Sequence, residues 1–464
     1  MNLNLNDIAK HFAWTYTGDP DVRVGSISID TRTIRPGELF VALLGEDFDG
    51  HAFVAQAAEK GAAAAMVEEQ WYRLNREFQT SLPLLIVPDT LIAFQELARF
   101  YRKTMEPKVV ALTGSAGKTT CKDMIYSVLS RKYRTRKNIK SFNNHVGVPL
   151  TLLSTQPDDE ILVTELGTSG FGEIERSSYL VEPDVCLLLN IGYAHLQAFK
   201  DLVGVARAKM EIVTHAKPDR YVIYNADDEI LSQQNFGGRV MTYAVDQNAD
   251  VKARNLECNE HAQYQFMVDD TRIELSLPGR HNVLNALAAI AVGRIFDVPM
   301  VDIKSALKSV DYVSHRMTVI YQGSMRIIDD SYNANPSSCR AAFSTLADME
   351  LDFGGRRIAV LGDMLELGEA SEFEHTRLAD ALAENGIRIL LTYGTHMAET
   401  AERARSLSFD YVSHSRSQET LIDELLSVVK DQDIVLIKGS RGMHMENIID
   451  ALNTNREAKC STIY

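Results

Sequence analysis

The 464-residue chain contains few cysteines, few glycines and prolines, and fewer basic than acidic residues. Its five cysteines lie far apart and form no CxxC pair, which argues against a disulfide framework or a zinc ribbon and fits a reducing compartment. The 27 glycines and 12 prolines exclude a collagen-like or low-complexity chain. The formal net charge of −15 repels nucleic acid and anionic membranes at long range, but it allows a basic pocket for one small anion.

Long apolar runs are also absent. The longest uncharged apolar stretch, residues 185–199, is too short to span a bilayer. The initial segment MNLNLNDIAKHF has no basic region followed by an apolar one, so no signal peptide is predicted. We therefore expect a cytoplasmic protein that neither inserts into membranes nor binds nucleic acid.

The remaining composition is that of a globular protein, with 45% hydrophobic and 24% charged residues. Apolar runs typical of buried strands alternate with helical patterns along most of the chain. This alternation predicts α/β domains whose parallel sheets are covered by helices on both faces. The apolar runs lie at 39–45, 84–88, 109–114, 160–167, 185–192, 220–226, 357–363, 388–394 and 433–439.

The chain length predicts about three domains, and two breaks in the pattern suggest where they meet. One break is the charged stretch 102–108, which contains Pro107, and the other is the irregular segment 312–326. We therefore predict domains over residues 1–106, 107–314 and 315–464.

A glycine-rich loop follows the strand that begins the second domain, in the sequence VVALTGSAGKTTCKDM. Glycines let backbone N–H groups surround phosphate oxygens, and the start of the following helix adds partial positive charge. Lys118 would neutralise the β- and γ-phosphates of a nucleotide, and the Thr119 hydroxyl would bind Mg²⁺. Leu112 stands where the longer form of this motif has glycine, and a plain glycine turn is the alternative interpretation. The predicted phosphate-binding residues are Gly114, Ser115, Gly117, Lys118, Thr119 and Thr120.

Two further residues stand near the ends of predicted strands, where ligands of parallel sheets bind. Glu165 ends the strand in EILVTELG and could hold Mg²⁺ opposite the glycine-rich loop. The alternative for Glu165 is a solvated strand end. His195 follows the next strand, and a metal or phosphate role for it competes with a structural one.

Three candidate residues lie in helical patterns. From the residues alone, Lys209 in GVARAKMEI is predicted to lie on a solvated helix face. Asn282 and Asn285 are three residues apart and share one face of the Ala-rich helix predicted within 277–292. Their amides suit the edge of a purine base, but capping of the helix by Asn282 is the better interpretation without further information.

Polar segments at other strand ends read as turns, and turns at strand ends can carry site residues. The segments 327–338, 362–368 and 438–443 each follow a strand of the last domain. The last two could contact a phosphate or a carboxylate, but each alone is interpreted as a plain loop. In the first domain, Thr31 and Arg32 follow an alternating strand. Their hydroxyl and guanidinium groups could bind a nucleotide, but the periodicity of the sequence does not show whether they do.

Taken in order, these motifs resemble those of the Mur ligase family, the ATP-dependent amide ligases of peptidoglycan assembly. The resemblance covers nearly the whole chain, and so many segments in one order are far more specific than any single motif. DDSYNANP, GDMLELG and IDTRTIRPG are most similar to the branch that adds a dipeptide, and the DNPR motif of the branch that adds a diamino acid is absent. The matching segments are DTR, TGSAGKT, NNHVGVPLTLL, ELGTSGFGEI, NIGYAHLQAF, AKMEI, PGRHNVLNALAA, HRM, DDSYNANP, GDMLELG and KGSR.

The resemblance implies a fold. A central P-loop-type ATPase domain with a parallel sheet is expected between an N-terminal α/β domain that binds the UDP-linked substrate and a C-terminal Rossmann-like α/β domain. This third domain would close on ATP and bind the incoming dipeptide.

The resemblance also implies roles for individual residues. Glu165 and His195 would be Mg²⁺ ligands, and Lys209 would be the lysine that is often carbamylated in the family, where it could hold a second Mg²⁺. Lys118, Lys209 and His195 would be the catalytic residues. Nucleotide contacts are implied for Asn282, Asn285, Arg316, Asp330, Tyr332 and Asn333, and contacts to the UDP-muramoyl substrate are implied for Thr31, Arg32, Asn143 and Asn144.

The implied reaction joins D-alanyl-D-alanine to UDP-N-acetylmuramoyl-tripeptide through an acyl-phosphate, using ATP and two Mg²⁺ ions, in a monomeric enzyme. Four alternatives stay open: a sister ligase that adds one amino acid, the folylpolyglutamate branch, a P-loop kinase or GTPase, and a non-catalytic binding protein. The folate branch lacks a UDP-binding-type first domain, and no NKxD guanine motif occurs in the chain. The presence of all the candidate catalytic residues argues against a non-catalytic protein.

Overall fold

The computed structural model describes residues 2–45, 48–75, 82–138, 142–310 and 315–461. Over these ranges the chain forms successive α/β units, each built on a mainly parallel sheet. This confirms the expected fold class. The limits predicted for the domains, at 106 and 314, stay a prediction, and residues 311–314 lie outside the described residues.

The N-terminal domain has a main sheet that is parallel except for one edge strand. Its elements are β1 (Leu3–Asn4), α1 (Leu5–Phe12), β2 (Thr15–Tyr16), β3 (Arg23–Val24), β4 (Ile27–Ser28), β5 (Leu39–Val41), α2 (Val54–Glu59), β6 (Ala64–Glu68), α3 (Glu69–Leu74), β7 (Leu84–Val87) and α4 (Thr90–Met105). The sheet order is β2-β7-β6-β5-β4, with β2 antiparallel to β7. The parallel strands are buried, which explains their continuous apolar sequences.

The central domain has a seven-stranded parallel sheet. Its elements are β8 (Lys108–Thr113), α5 (Lys118–Leu129), β9 (Thr135–Lys137), α6 (Gly147–Leu153), β10 (Ile161–Glu165), α7 (Glu173–Val181), β11 (Val185–Leu188), α8 (Leu196–Phe199), α9 (Leu202–Met210), β12 (Tyr221–Asn225), α10 (Glu229–Ser232), β13 (Arg239–Ala244), β14 (Val251–Lys252), β15 (Arg254–Cys258), β16 (Gln263–Val268), β17 (Thr271–Pro278), α11 (Arg280–Ile295) and α12 (Met300–Lys308). The strand order β14-β13-β12-β11-β8-β10-β9 places β8 between β10 and β11. The last three strands, β15 to β17, form a small antiparallel sheet beside it.

The C-terminal domain has a six-stranded sheet with one antiparallel edge strand. Its elements are β18 (Thr318–Gln322), β19 (Met325–Asp330), α13 (Pro336–Asp348), β20 (Arg357–Gly362), α14 (Ser371–Glu384), β21 (Ile389–Tyr393), α15 (Met397–Ser406), β22 (Tyr411–Ser415), α16 (Gln418–Val428), β23 (Ile434–Lys438) and α17 (Glu446–Ser461). The order is β18-β19-β23-β20-β21-β22, with β18 antiparallel to β19. Short 3₁₀ turns in the chain span Gly50–Phe53, Glu211–Val213, Gly368–Ala370 and Arg441–Met443.

The apolar runs read from the sequence are all confirmed as strands, because each of the nine contains one strand of a parallel sheet. Helix α4 joins the first two domains, since its buried Phe94 and Tyr101 share a hydrophobic cluster with Val109 and Ala111 of β8. Among the helices in the described ranges, none is both long and apolar enough to cross a bilayer.

Direct bonds hold the C-terminal domain against the central domain. The Tyr264 hydroxyl donates to Asp348 Oδ2 at 2.8 Å, and the Glu350 amide donates to the Glu260 carbonyl at 3.0 Å. At the glycine-rich loop, Asn335 Nδ2 donates to the Ser115 carbonyl at 3.3 Å. These bonds place the start of α13 opposite the carboxyl end of β8.

Candidate active site

A cavity of about 470 Å³ lies where the central and C-terminal domains face each other. Its walls include the loops after β8, β10 and β11, the start of α11 and the segment before α13. This is the sheet edge at which α/β proteins bind ligands. The predicted residues that line it are Ser115, Gly117, Lys118, Thr119, Thr120, Asn143, Asn144, Glu165, His195, Asn282, Asn285, Arg316, Asp330, Tyr332 and Asn333.

The glycine-rich loop runs along the cavity from the end of β8 to α5. The amides of Ser115 and Ala116 donate to Asn190 Oδ1 at 3.0 and 2.9 Å, which fixes the start of the loop. Gly117 precedes α5 and has no side chain that could cap its first turn. The Lys118 ammonium donates to the Gly114 carbonyl at 2.8 Å, and burial lowers the Lys118 pKa. An uncapped helix start beside a lysine is suited to bind an anion.

Gly117 is held at a φ of +82°, and a Cβ at this position would lie 2.8 Å from Asn285 Oδ1. Gly117→Ala is therefore expected to weaken nucleotide binding at least about tenfold, since the new Cβ displaces the Asn285 amide from the nucleotide site. The added backbone strain of about 1–2 kcal/mol lowers the stability of the fold. Calorimetric titration with a non-hydrolysable ATP analogue measures this loss.

Gly172→Ala is the matched control, because Gly172 has a φ of +83° and a Cβ there would meet no atom within 4 Å. Gly172→Ala therefore has the same backbone strain as Gly117→Ala, but its Cβ meets no neighbouring atom. Equal binding by the two alanine variants would show that the contact with Asn285 has no effect on the nucleotide site.

Glu165 ends β10 and is buried in the cavity wall, so the alternative of a solvated strand end is wrong. Its Oε1 accepts a hydrogen bond from Asn143 Nδ2 at 2.7 Å. Lys122 Nζ lies 3.9 Å from Oε2, which is beyond hydrogen-bond distance. Within the described ranges, Oε2 has no hydrogen-bond partner. A buried carboxylate oxygen without a partner is costly, and a bound cation would remove that cost.

His195 lies after β11, in the left-handed conformation, with a φ of +53°. Its Nδ1 is 2.6 Å from Glu366 Oε2, and this hydrogen bond lowers the pKa of the Glu366 carboxyl. Glu366 belongs to the C-terminal segment 362–368, so the contact crosses between two domains. In the described part of the chain, no three His, Cys, Asp or Glu side chains form a metal cluster.

Lys209 is buried in α9, with 2% of its surface exposed, so the solvated helix face expected from the residues alone is wrong. Burial lowers the Lys209 pKa well below its ordinary value, and the neighbouring charge of Lys118 lowers it further. Among the described residues its amine has no hydrogen bond or ion pair. Lys209 does not line the cavity, and Lys118 is the charged neighbour that affects its pKa.

Asn282 and Asn285 are both buried on α11 and line the cavity. Asn282 Nδ2 donates to the Pro278 carbonyl at 2.7 Å, and Asn285 Nδ2 donates to Asn282 Oδ1 at 3.0 Å. Gly279 is the residue before the helix and no side chain caps it, so the interpretation of Asn282 as a helix cap is wrong. The two amides form one chain that ends at the glycine-rich loop.

The C-terminal wall combines a stacked arginine with a buried ion pair. The Arg316 guanidinium lies 4.1 Å from the centre of the Tyr332 ring. Lys438, at the end of β23, donates to Asp330 Oδ2 at 2.5 Å and to the Asn333 carbonyl at 2.8 Å. Lys438 therefore fixes two of the predicted residues and itself lines the cavity, so its segment 438–443 contributes to the cavity wall.

Segment 362–368 has a structural role as well. Asp363 accepts hydrogen bonds from the amides of Thr395 and Met397, both at 2.8 Å, at the start of α15. This carboxylate supplies the acceptors that the first turn of a helix lacks. Asp363 therefore acts as a cap for α15.

The remaining predicted residues lie away from the cavity or support it. Thr31 is buried and donates to Gln56 Oε1 at 2.5 Å, whereas Arg32 is exposed and pairs with Asp30 at 2.7 Å. Neither lines the cavity. Asn144 lines it, and its Oδ1 accepts from the Gly147 amide at 2.8 Å.

Sequence reasoning did not single out Asn190 and His281, which line the cavity, or Lys122, whose ammonium lies 3.9 Å from Glu165 Oε2. Lys122 could have been found, because it lies four residues after Lys118 and therefore on the same helix face. Asn190 and His281 carry no local signal, since their contacts depend on how distant segments meet.

His281 lines the cavity beside Asp330, and its burial lowers its pKa to about 4. The unfolded chain binds this proton near pH 6.5, so it takes up more protons than the folded chain between pH 6.5 and 4. The free energy of unfolding is therefore expected to fall as pH is lowered through this window, by at most about 3 kcal/mol from His281.

Urea unfolding of His281→Gln between pH 7 and 4 checks this prediction, and the variant should lose stability less steeply than the native chain. The exposed His444 offers a matched control in His444→Gln, which should keep the native slope. Parallel stability curves for the native chain and His281→Gln would show that His281 is not the group responsible.

Comparison with known proteins agrees with this geometry. Three descriptions match the chain: "Mur ligase family, catalytic domain" over 23–102, "Mur ligase middle domain" over 112–293 and "Mur ligase, glutamate ligase domain" over 315–441. The UDP-N-acetylmuramoyl-tripeptide–D-alanyl-D-alanine ligase of Bacillus subtilis is 36% identical, with 92% of this chain and 93% of that protein covered.

Solved structures are similar over the same length. MurF from Acinetobacter baumannii matches with a TM-score of 0.88 and 31% identity, covering 97% of this chain and 99% of that one. MurF ligase from Thermotoga maritima in complex with ADP matches with a TM-score of 0.81 and 28% identity, covering 94% and 98%. The chain therefore belongs to the Mur ligase family, as the order of its motifs predicted.

Proposed function

We propose that the chain joins D-alanyl-D-alanine to UDP-N-acetylmuramoyl-tripeptide in an ATP-dependent amide ligation that releases ADP and phosphate. One observation carries this proposal: the phosphate loop, the buried Glu165 and the C-terminal pair Asp330–Lys438 converge on one cavity between two domains. Relatives that match over almost their whole length are named for this reaction.

ATP is proposed to bind across this cavity. Its phosphates would meet the loop amides and Lys118, since this ammonium already lies at the start of α5. Its adenine would contact the amides of Asn282 and Asn285, which supply both donors and acceptors. The residues proposed to close over the nucleotide from the third domain are Arg316, Asp330, Tyr332 and Asn333.

Mg²⁺ is proposed to bind between Thr119, Glu165 and His195, and the partnerless oxygen of Glu165 fits a cation. A second Mg²⁺ would bind a carbamate on Lys209, whose neutral amine is the form that reacts with CO₂. When bound, the ions would neutralise charge on the transferring phosphoryl oxygens.

The residues of the chain would then act in two stages. Lys118 would stabilise the γ-phosphoryl group while the terminal carboxylate of the tripeptide attacks it and ADP leaves. The amine of the dipeptide would attack the resulting acyl-phosphate, and the tetrahedral intermediate would collapse to amide and phosphate. Because water hydrolyses an acyl-phosphate, closure of the third domain over the cavity would protect it.

The UDP-linked substrate is proposed to bind between the first domain and the cavity. Thr31 and Arg32 would contact its nucleotide end, and Asn143 and Asn144 would contact its muramoyl-peptide end. Asn143 already bonds Glu165, so it would connect the substrate to the metal ligand. All these groups come from one chain, which is consistent with a monomer, and its nucleotide substrates fit a cytoplasmic enzyme.

Phosphate release from ATP and Mg²⁺ with UDP-muramoyl-tripeptide, in the presence and absence of D-alanyl-D-alanine, tests the function. Release that needs both substrates, with a product heavier by one dipeptide, is the expected result. Turnover only with one amino acid and a shorter muramoyl-peptide would assign the chain to a sister ligase. No release under either condition would indicate a non-catalytic protein.

A further inference from the structure

The contact between His195 and Glu366 is not used by the chemistry proposed above. His195 belongs to the central domain and Glu366 to the C-terminal domain, yet Nδ1 and Oε2 are 2.6 Å apart. Glu366 does not line the cavity, whereas His195 does. The carboxylate therefore reaches the cavity only through the imidazole.

The backbone segments on both sides of this contact also bind each other. The Gln197 amide donates to the Glu366 carbonyl at 3.3 Å, and Leu196 is buried in the hydrophobic cluster of the C-terminal domain. Gly368 has a φ of +55°, and a Cβ there would lie 3.1 Å from Gln197 Cα. Both domains thus approach each other closely along the whole contact.

Both partners adopt a conformation that most residues avoid. His195 has a φ of +53° and Glu366 a φ of +65°, and the left-handed conformation costs about 1 kcal/mol or more for a residue with a side chain. Two such residues facing each other are held there by the contacts between the domains.

The short contact with the carboxylate determines what the imidazole can do next. Because a carboxylate only accepts, the contact favours the proton on Nδ1, and the lone pair of a neutral ring is then on Nε2. Among the described residues, Nε2 makes no hydrogen bond. A histidine of this tautomer can bind a metal ion or accept from a ligand in the cavity.

We propose that Glu366 is a positioning residue that fixes the tautomer and ring orientation of His195, so that the histidine is ready for its ligand only when the two domains are in contact. This rests on the proposed function, in which His195 is a Mg²⁺ ligand. Metal binding in the central domain is thereby coupled to the position of the domain that brings the dipeptide.

Electron spin-echo spectroscopy with Mn²⁺ in place of Mg²⁺, in the presence of ADP, tests the proposal without turnover. The full-length native protein should show nitrogen modulation from an imidazole bound to Mn²⁺, and His195→Gln should lose it. Glu366→Ala is expected to weaken or lose it, and Glu366→Gln, which keeps an acceptor oxygen, should retain part of it. Glu369→Ala, an exposed glutamate in the same loop, should match the native protein.

Steady-state kinetics supplies a second measurement. The Mg²⁺ concentration for half-maximal activity should rise about tenfold in Glu366→Ala, the effect typical of losing a partner of a metal-bound histidine, while the KM for the dipeptide changes less than about twofold. Native nitrogen modulation and an unchanged Mg²⁺ requirement in Glu366→Ala would overturn the proposal. Absence of ligase activity in the native protein would instead refute the proposed function, so the two failures are distinct.

Discussion

Lys118→Ala is expected to lower the rate of phosphate release by about a thousandfold, the scale seen when one charge-stabilising group is removed from a transferring or oxyanionic centre. Lys118 is the cation at the start of α5, where it bonds the Gly114 carbonyl at 2.8 Å. No other side chain of the loop Gly114–Thr120 carries positive charge. Its loss would leave the charge on the phosphoryl oxygens without a fixed cation from the loop.

Single-turnover measurements distinguish binding from chemistry in this variant. With ATP and UDP-muramoyl-tripeptide saturating, the rate of ADP formation should fall with the turnover number, while affinity for ADP falls far less. Lys132→Ala is the control, because Lys132 is exposed and lies shortly after the same helix, away from the cavity. Undiminished turnover in Lys118→Ala would refute the phosphate chemistry assigned to the loop.

The strands and the phosphate loop could be predicted from the sequence because both are local. A strand that is covered on both faces is apolar along its whole length. The apolar runs at 185–192 and 433–439 therefore predict β11 and β23, which are both buried. The loop before Lys118 contains Gly117, whose φ of +82° is a conformation that other residues avoid.

The environment of Lys209 could not be predicted from local pattern. A lysine between Ala208 and Met210 reads as a solvated position, because burying an unpaired amine is costly in general. The structure buries it all the same, on a helix whose Val205 and Ala208 belong to a hydrophobic cluster shared with the C-terminal domain. Only the family resemblance gave it a role, and that role depends on tertiary packing.

The ion pair of the C-terminal wall was missed for a similar reason. Lys438 and Asp330 are 108 residues apart in sequence, and their bond exists because β23 and β19 are neighbours in the sheet. The resemblance assigned a role to Asp330 and included the segment KGSR, but it assigned no role to Lys438. Likewise, the pairing of Glu366 with His195 follows from domain contact and has no signature in either segment.

Lys209→Ala is also expected to have a large effect and to reduce turnover by at least about a hundredfold. This is the size of effect typical of removing a preorganised electrostatic contact. The neutral amine of Lys209 can attack CO₂, forming a C–N bond and releasing one proton, and the product carries two anionic oxygens. A low pKa is required for this reaction, since an ammonium has no lone pair. The burial of Lys209 supplies it.

Three observations separate a carbamate from a simple lysine. Native activity should fall when dissolved CO₂ is removed and should return with bicarbonate. ¹³C-labelled bicarbonate should give a carbamate NMR signal in the native protein and none in Lys209→Ala. Lys209→Arg keeps a cation that cannot be carbamylated, and it should be as inactive as Lys209→Ala.

The control is Lys308→Ala, which removes an exposed helical lysine paired with Glu274 at 2.7 Å and should leave turnover and CO₂ dependence unchanged. Full activity of Lys209→Arg would mean that a positive charge is sufficient, and the carbamate would be excluded. Partial rescue of Lys209→Ala by acetate would support the carbamate, since acetate supplies the two oxygens that the alanine variant lacks.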